Sequence, residues 1–358
     1  MTANLTTLYV VKFLFFCHLG TGVTVPFLRD WGGLSYLWLM AAEAWFMFAT
    51  LLLEVPSGAF ADRFGRRNSM VTGGVVGMVG AFVYTASPEL GTIVAGTSLF
   101  AIAAALFSGA DSALLYDTLR RLGRAHEAAQ LFARLDSIRL VGFMIGAVTG
   151  SLIAEHRGVA TAQFWRWLPF SLSALCALAL SDPGRAGRAG APGGWLELVR
   201  AGVGALRRPV LRRMVLHYVL PESFLLPVLW AYQPLSEGVG IGIGWFGSIH
   251  ATLALAQILV LLRIRQLQSR FGGRDRLLWL GAVIAGGCLA ATGMARHPAL
   301  LLLLLVATVS FGLIRRPVVL AALNEHIEEH QRATVLSAVN MVRMAGVGVG
   351  LLLMGAGL

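Results

Sequence analysis

Residues 53–70 read LEVPSGAFADRFGRRNSM, a run of Gly, Asp and Arg wedged between two long apolar stretches. Charges at that density cannot sit in hydrocarbon, so this hinge marks where water begins. Outward from it the chain is strongly apolar. Of 358 residues, 57% are hydrophobic and 13% charged, and the mean hydropathy is +0.72, far from the averages of soluble domains. A membrane-crossing helix needs roughly 20 predominantly apolar residues. Eleven stretches qualify: 5–27, 34–57, 69–87, 91–119, 136–154, 162–181, 210–233, 241–265, 275–295, 298–323 and 333–356. Helices are the expected element, because backbone groups in lipid must be satisfied within their own segment.

The formal charge of +11 follows the bilayer and not a nucleic-acid surface. Connections on the hinge side hold Arg63, Arg66, Arg67, Arg120, Arg121, Arg124, Arg134, Arg185, Arg188, Arg200, Arg207, Arg208, Arg270, Arg274 and Arg332, against Arg29, Arg157 and Arg296 on the other side. That asymmetry places the hinge and the N-terminus in the cytoplasm of a cell whose inner membrane holds the chain. Attraction to anionic headgroups accounts for the basic balance. Residues 1–27 lack a basic residue before Lys12 and are too long for a cleaved signal, so they read as a retained helix. Cys17, Cys176 and Cys288 fall inside spans and imply neither disulfide nor metal.

The hinge pattern Gly58-x-x-x-Asp62-Arg63-x-Gly65-Arg66-Arg67 resembles the signature loop between the second and third helices of the major facilitator superfamily of secondary transporters. The resemblance implies an all-α membrane fold of two pseudo-symmetric bundles that alternate access to a central solute. A Gly-, Pro- and Arg-rich break divides the chain accordingly: a six-helix bundle at 1–181, a linker at 182–209 with a possible interfacial helix, and a five-helix bundle at 210–358. Relatives have twelve helices; the reading stops after eleven, and the residues leave open whether the twelfth is absent or cut off. Internal repetition supports the two halves. A shift of 207 sets Arg63-Phe64-Gly65-Arg66-Arg67 on Arg270-Phe271-Gly272-Gly273-Arg274, and a shift of 204 sets Asp136, Arg139, Gly142 and Gly146 on Asn340, Arg343, Gly346 and Gly350. By the same resemblance, Asp62 is expected to lean on the segment beginning Arg332-Ala333-Thr334, and Arg66 to reach Asp117, as a conformational latch. The plainer alternative is a set of solvated surface charges. Gly58 and Gly65 are expected where the loop turns tightly and approaches other backbone.

Ionisable groups deeper in the spans are costly and are functional candidates by default. They are Lys12, Glu43, Asp111 and Arg139 in the first half, and Glu222, His250, Arg315, Arg316 and Arg343 in the second. Glu43 stands about nine residues into its helix, near mid-membrane at 1.5 Å per residue, and the 207 shift sets His250 opposite it. An acid and an imidazole facing one cavity suit proton coupling; equally, Glu43 could be neutralised by Lys12 and His250 hydrogen-bonded in a core. Asp111 and Arg139 are expected to pair as a structural ion bridge. Glu222 lies in a helix carrying Pro221 and Pro227, whose interruption would expose backbone for binding. Glu54 and Asp136, near helix ends, read as structural.

The fifth helix carries Gly142, Gly146 and Gly150 at intervals of four. This partly resembles the family's antiporter signature, with Ala147 and Ser151 replacing its proline and final glycine; a tight helix crossing wants the same spacing. His326-x-x-Glu329-His330 fits a zinc-peptidase pattern but falls in a short loop without a third ligand. P-loop and dinucleotide fingerprints are missing, so neither ATP nor another cofactor is expected. The expected function is secondary transport of a small organic solute by a monomer, with protons as the coupling ion and efflux as the direction. The alternatives are proton-linked uptake of a polar metabolite, or a non-transporting receptor or scaffold. Partners are the solute, protons and membrane lipids.

Overall fold

The computed structural model describes residues 2–182, 200, 204, 207–312, 318–319 and 332–357. The linker at 183–199, Arg315, Arg316 and the His326–His330 motif lie outside the described residues. Among the described residues every regular element is helical. Eight runs are long and apolar enough to cross a membrane: Asn4–Trp31, Tyr36–Phe64, Leu90–Arg121, Gln130–Arg157, Pro209–Gly238, Ile243–Leu262, Arg274–Thr292 and Ala338–Gly357. The three other expected spans are present as a helix of 19 residues at Arg66–Tyr84, a helix broken in two at 159–178, and the shorter Pro298–Gly312. Leu175, Leu262, Val283 and Leu303 are among many large apolar side chains left uncovered, as lipid-facing residues are.

The chain forms two compact units, Met1–Ala191 with Ile243–Ser248, and Pro192–Gly242 with Ile249–Leu358. In the first unit, α1 (Thr2–Phe16) ends at an irregular stretch, Cys17–Gly20, before short helical turns to Trp31. Next, α2 (Tyr36–Phe64) and α3 (Arg66–Tyr84) are separated by Gly65 alone. α4 (Leu90–Phe107) and α5 (Ala110–Arg121) are one span broken at Ser108–Gly109. The long α6 (Ala128–Arg157) follows, then α7 (Val159–Phe164) and α8 (Trp167–Leu178), broken at Trp165–Arg166. α3 is a gasket. Its Gly74 and Gly77 lie against Ala174 and Phe170 of α8, and its Gly73 and Gly80 against Ala103 and Phe100 of α4, close approaches that side chains would forbid.

The second unit comprises α9 (Pro209–Leu225), α10 (Val228–Gly238), α11 (Phe246–Leu262, from Ile249 onward in this unit), α12 (Ile264–Arg270), α13 (Arg274–Thr292), α14 (Pro298–Gly312) and α15 (Arg332–Gly357). α9 runs through Pro221 and breaks at Leu226–Pro227; Pro227 has no N–H to continue the ladder. Leu211, Val215, Tyr218 and Val219 of α9 form a core with Leu278 of α13 and Val335 and Val339 of α15.

Candidate functional site

The hinge is tighter than a loop. Asp62 and Arg63 close the last turn of α2, and Arg66 and Arg67 open α3. Gly65 between them has φ +95°, and a Cβ there would stand 2.6 Å from the Asp182 carboxylate; both facts demand glycine. Gly58 departs from expectation. It lies inside the continuous α2, and among the described residues nothing stands within 4 Å of where its Cβ would be. The turn therefore rests on Gly65 alone.

Arg66 forms the expected ion pair with Asp117 of α5 through Nη1 and Oδ2. Its backbone N–H also donates to Asp182 Oδ2 at 2.9 Å, so an acid beyond α8 caps the N-terminus of α3, where partial positive charge gathers. Beside it, Asn4 of α1 accepts from the Ser181 N–H (2.8 Å), donates to the Ser181 carbonyl (3.2 Å) and to Thr118 Oγ1 of α5 (3.1 Å). The hinge end of the first unit is thus stitched across α1, α3, α5 and the end of α8. Arg63 lies 5.4 Å over the Phe64 ring, and Arg67 is half-buried. The expected seat of Asp62, at Arg332-Ala333-Thr334, falls on side chains outside the described set.

Deeper in this unit, Lys12 and Asp111 form an ion pair, with 9% and 2% of each residue exposed. The break at Gly109, φ +81°, puts Asp111 in the first turn of α5. There its Oδ1 accepts the Ser112 N–H at 2.6 Å, beside the partial positive charge that gathers at a helix N-terminus. The ammonium lies 5.2 Å from the Phe16 ring centre and 6.0 Å from that of Phe107, both aromatic faces that attract a cation. This pairing displaces the expected Asp111–Arg139 bridge and the alternative of Glu43 with Lys12. Lys12 is committed to Asp111 and not Glu43, and Arg139 pairs instead with Asp136 one turn earlier on α6, Nε to Oδ1 at 2.7 Å. The physical reason is the broken span: ending α4 at Ser108 turns Asp111 towards α1.

Glu43 on α2 belongs to a cluster that the apolar reading of 162–181 passed over. Arg166, at the break between α7 and α8, lies 4.0 Å over the Phe100 ring and 6.0 Å from that of Tyr84, and its Nη1 donates to Gln163 Oε1 at 3.0 Å. Gln163 Nε2 in turn donates to the Gly20 carbonyl at 3.2 Å, in the irregular stretch after α1. Glu43 acts electrostatically on both Arg166 and Tyr84. The retrievable signal was a lone guanidinium inside an otherwise apolar span, which requires a counter-charge nearby.

The glycines of α6 lie at a crossing with the end of α1. A Cβ on Gly142 would come within 2.8 Å of the Phe13 carbonyl oxygen, one on Gly146 within 2.7 Å of the His18 amide nitrogen, and one on Gly150 would overlap the Leu19 carbonyl. Gly346 and Gly350 of α15 meet Val219 and Ser223 of α9 in the same manner. The repeat extends to polar contacts: Arg343 Nε donates to Asn340 Oδ1 at 3.2 Å, as Arg139 does to Asp136. In the second unit Arg343 Nη1 also pairs with Glu222 at 3.1 Å; Glu222 is 6% exposed, and among the described residues its buried Oε2 has no hydrogen bond. His250, in α11, stacks obliquely 5.9 Å from the buried Tyr232 ring, its buried Nδ1 without a hydrogen bond among the described residues.

Outside the membrane spans, the Arg124 side chain grips Glu127 through two hydrogen bonds of 2.6 Å, and these hold the Glu127 carboxyl below its usual range. Groups of three or more metal-ligating side chains are missing among the described residues.

Long apolar helices, several of them interrupted beside buried ion pairs, define a polytopic α-helical membrane protein. The chain belongs to the Major Facilitator Superfamily, whose description it matches over residues 8–351; this is a family of carriers and not of enzymes. Among solved structures it is similar to the nucleoside transporter NupG, at 15% identity and TM-score 0.79 over 99% of this chain and 90% of that one. It is also similar to a D-xylose-proton symporter (15%, 0.74, 99% and 90%) and to the POT family transporter PepTSo (13%, 0.74, 100% and 89%). In sequence it resembles an uncharacterized transporter of Buchnera aphidicola subsp. Schizaphis graminum, 26% identical over 128 residues, which spans 34% of this chain and 29% of that protein.

Proposed function

We infer that the chain is a proton-coupled carrier that exports a small organic solute by alternating access. The observation that carries the coupling is the Lys12–Asp111 pair at a helix break. A buried carboxylate held by one cation can take a proton only by releasing that cation, which converts protonation into a change of contacts. Glu222 with Arg343 supplies the counterpart in the second unit, its second oxygen buried without a hydrogen bond among the described residues. Glu43, with Arg166, serves as a clamp on the stretch after α1, and His250 as a polar contact for solute. Arg66 with Asp117, and Asp62, Arg63 and Arg67 around them, act as the latch on the hinge side. The direction rests on the α6 glycines and their likeness to an antiporter signature. A neighbour described as a proton symporter supports the coupling ion.

The protein is expected to lie in the inner membrane as a monomer, its N-terminus and hinge in the cytoplasm and its apolar flanks against lipid. Purified protein in vesicles loaded with a pH-sensitive dye tests the reading. A solute found by thermal stabilisation should move protons in proportion to its own flux, and Asp111→Asn should abolish proton-driven accumulation while leaving passive exchange. Solute flux without proton flux removes the coupling, and binding with no flux at all makes the chain a receptor. Impermeant labelling of cysteines placed at residues 62 and 188 tests the topology; labelling from opposite faces refutes it.

A further inference from the structure

Two related arginines have different fates. In the second unit the fork of Arg343 engages a carboxylate: Nε is taken by Asn340, Nη1 by Glu222, and its side chain is 12% exposed. In the first unit Arg139 spends Nε on Asp136, and among the described residues its two Nη groups meet no acceptor; its side chain is 25% exposed. The difference lies on the helix across the glycine crossing. The stretch of α9 facing Gly346 and Gly350 carries Glu222, whereas the α1 end facing Gly142 and Gly146, Phe13 to His18, holds no carboxylate.

What surrounds the Arg139 fork instead is aromatic. Its guanidinium carbon lies 5.9 Å from the Phe16 ring centre and 5.8 Å from that of Phe143, two rings 5.3 Å apart and inclined at 59°. His18 stands edge-on to Phe143 at 5.1 Å. Four unspent N–H groups in a fixed fork match a carboxylate bidentately, and inclined rings beside it accept a flat apolar body. Asp136 competes for the guanidinium charge through Nε and leaves the Nη pair to a ligand.

We propose that Arg139, framed by Phe16 and Phe143, is the anion-recognition residue for the transported solute, and that the solute is an aromatic organic acid. This rests on the carrier reading and names its substrate class. The test is the thermal midpoint of the purified full chain against aryl carboxylates (benzoate, phenylacetate, 1-naphthoate), their carboxamides, and acetate. Carboxylates with rings should stabilise, while amides and acetate should not. Arg139→Gln should weaken the carboxylates about tenfold to a hundredfold, as the loss of charge-assisted bonds of about 1.5–3 kcal/mol implies. Arg139→Lys, a point charge without the fork, should fall between. Should Arg139→Gln not fold, Asp136→Asn gives an independent reading, because removing the competing acid should tighten the same ligands. Equal binding of acids and amides, no binding by any acid, or an Asp136→Asn variant indifferent to them overturns the proposal. Arg139-dependent binding without proton movement in vesicles upholds the site and removes only the coupling.

Discussion

Replacing Asp111 by Asn keeps the shape of the pair with Lys12 and removes its negative charge, so a lysine that is 9% exposed loses its counter-ion. Breaking a buried pair on one side costs about 3–5 kcal/mol. The Phe16 and Phe107 faces attract the ammonium both with and without its partner, so they do not offset that loss. At about 2–4 °C per kcal/mol for a unit of this size, the midpoint should fall by about 6–20 °C. Lys12→Met should cost less, because Asp111 keeps the Ser112 N–H and the α5 N-terminus, a difference of about 1 kcal/mol. The double variant Lys12→Met with Asp111→Asn buries no charge and should recover most of the loss. The assay is intrinsic fluorescence of detergent-purified protein at one fixed heating rate, since unfolding of such proteins is governed by rate. If the double variant falls as far as the sum of the singles, charge pairing is not what holds α1 to α5, and the reasoning is refuted.

Other expectations are quicker to state. Gly150→Val should prevent stable folding, because the added atoms overlap the Leu19 carbonyl, while Gly58→Ala in open space should change the midpoint by less than about 1 kcal/mol equivalent; comparable losses at both sites would contradict the crossing described for α6. Arg343→Gln should strand Glu222 and cost about 3 kcal/mol or more, read as a lower midpoint that Glu222→Gln partly restores. Glu127 is held below its usual range by Arg124, so its contribution is present above the unfolded carboxyl value of about 4.5 and lost as pH falls through the lower folded value. Midpoints of Glu127→Gln and the unaltered chain, compared from pH 8 to pH 3, should therefore converge at the acid end; a gap widening towards acid would reverse the sign.

Much of the architecture could be read from hydropathy alone, because lipid forces each crossing segment to declare itself in about 20 apolar residues. The hinge was legible for a related reason: its charges have one tolerable depth. The Arg66–Asp117 pair came from resemblance, and the geometry agrees. What escaped was the assignment of buried partners. Lys12, Glu43, Asp111 and Arg139 were each visible as anomalies, but which meets which depends on how every helix is turned about its axis. Breaks at Gly109 and Trp165 reset that rotation in mid-span. Arg166 was missed because a single charge barely moves a window average, and the Asp182 cap because its partner is a backbone N–H, which carries no sequence signal.

The Asn4 amide offers a last consequence, one of timing during synthesis. Its partners at Ser181 are 177 residues downstream, so on a ribosome elongating at about 5–20 residues per second the amide waits about 10–35 s for them. Thr118 Oγ1, 114 residues downstream, reaches the amide first, and Ser181 completes its set. Assembly of the first half is completed only when its final helix emerges and closes the ring.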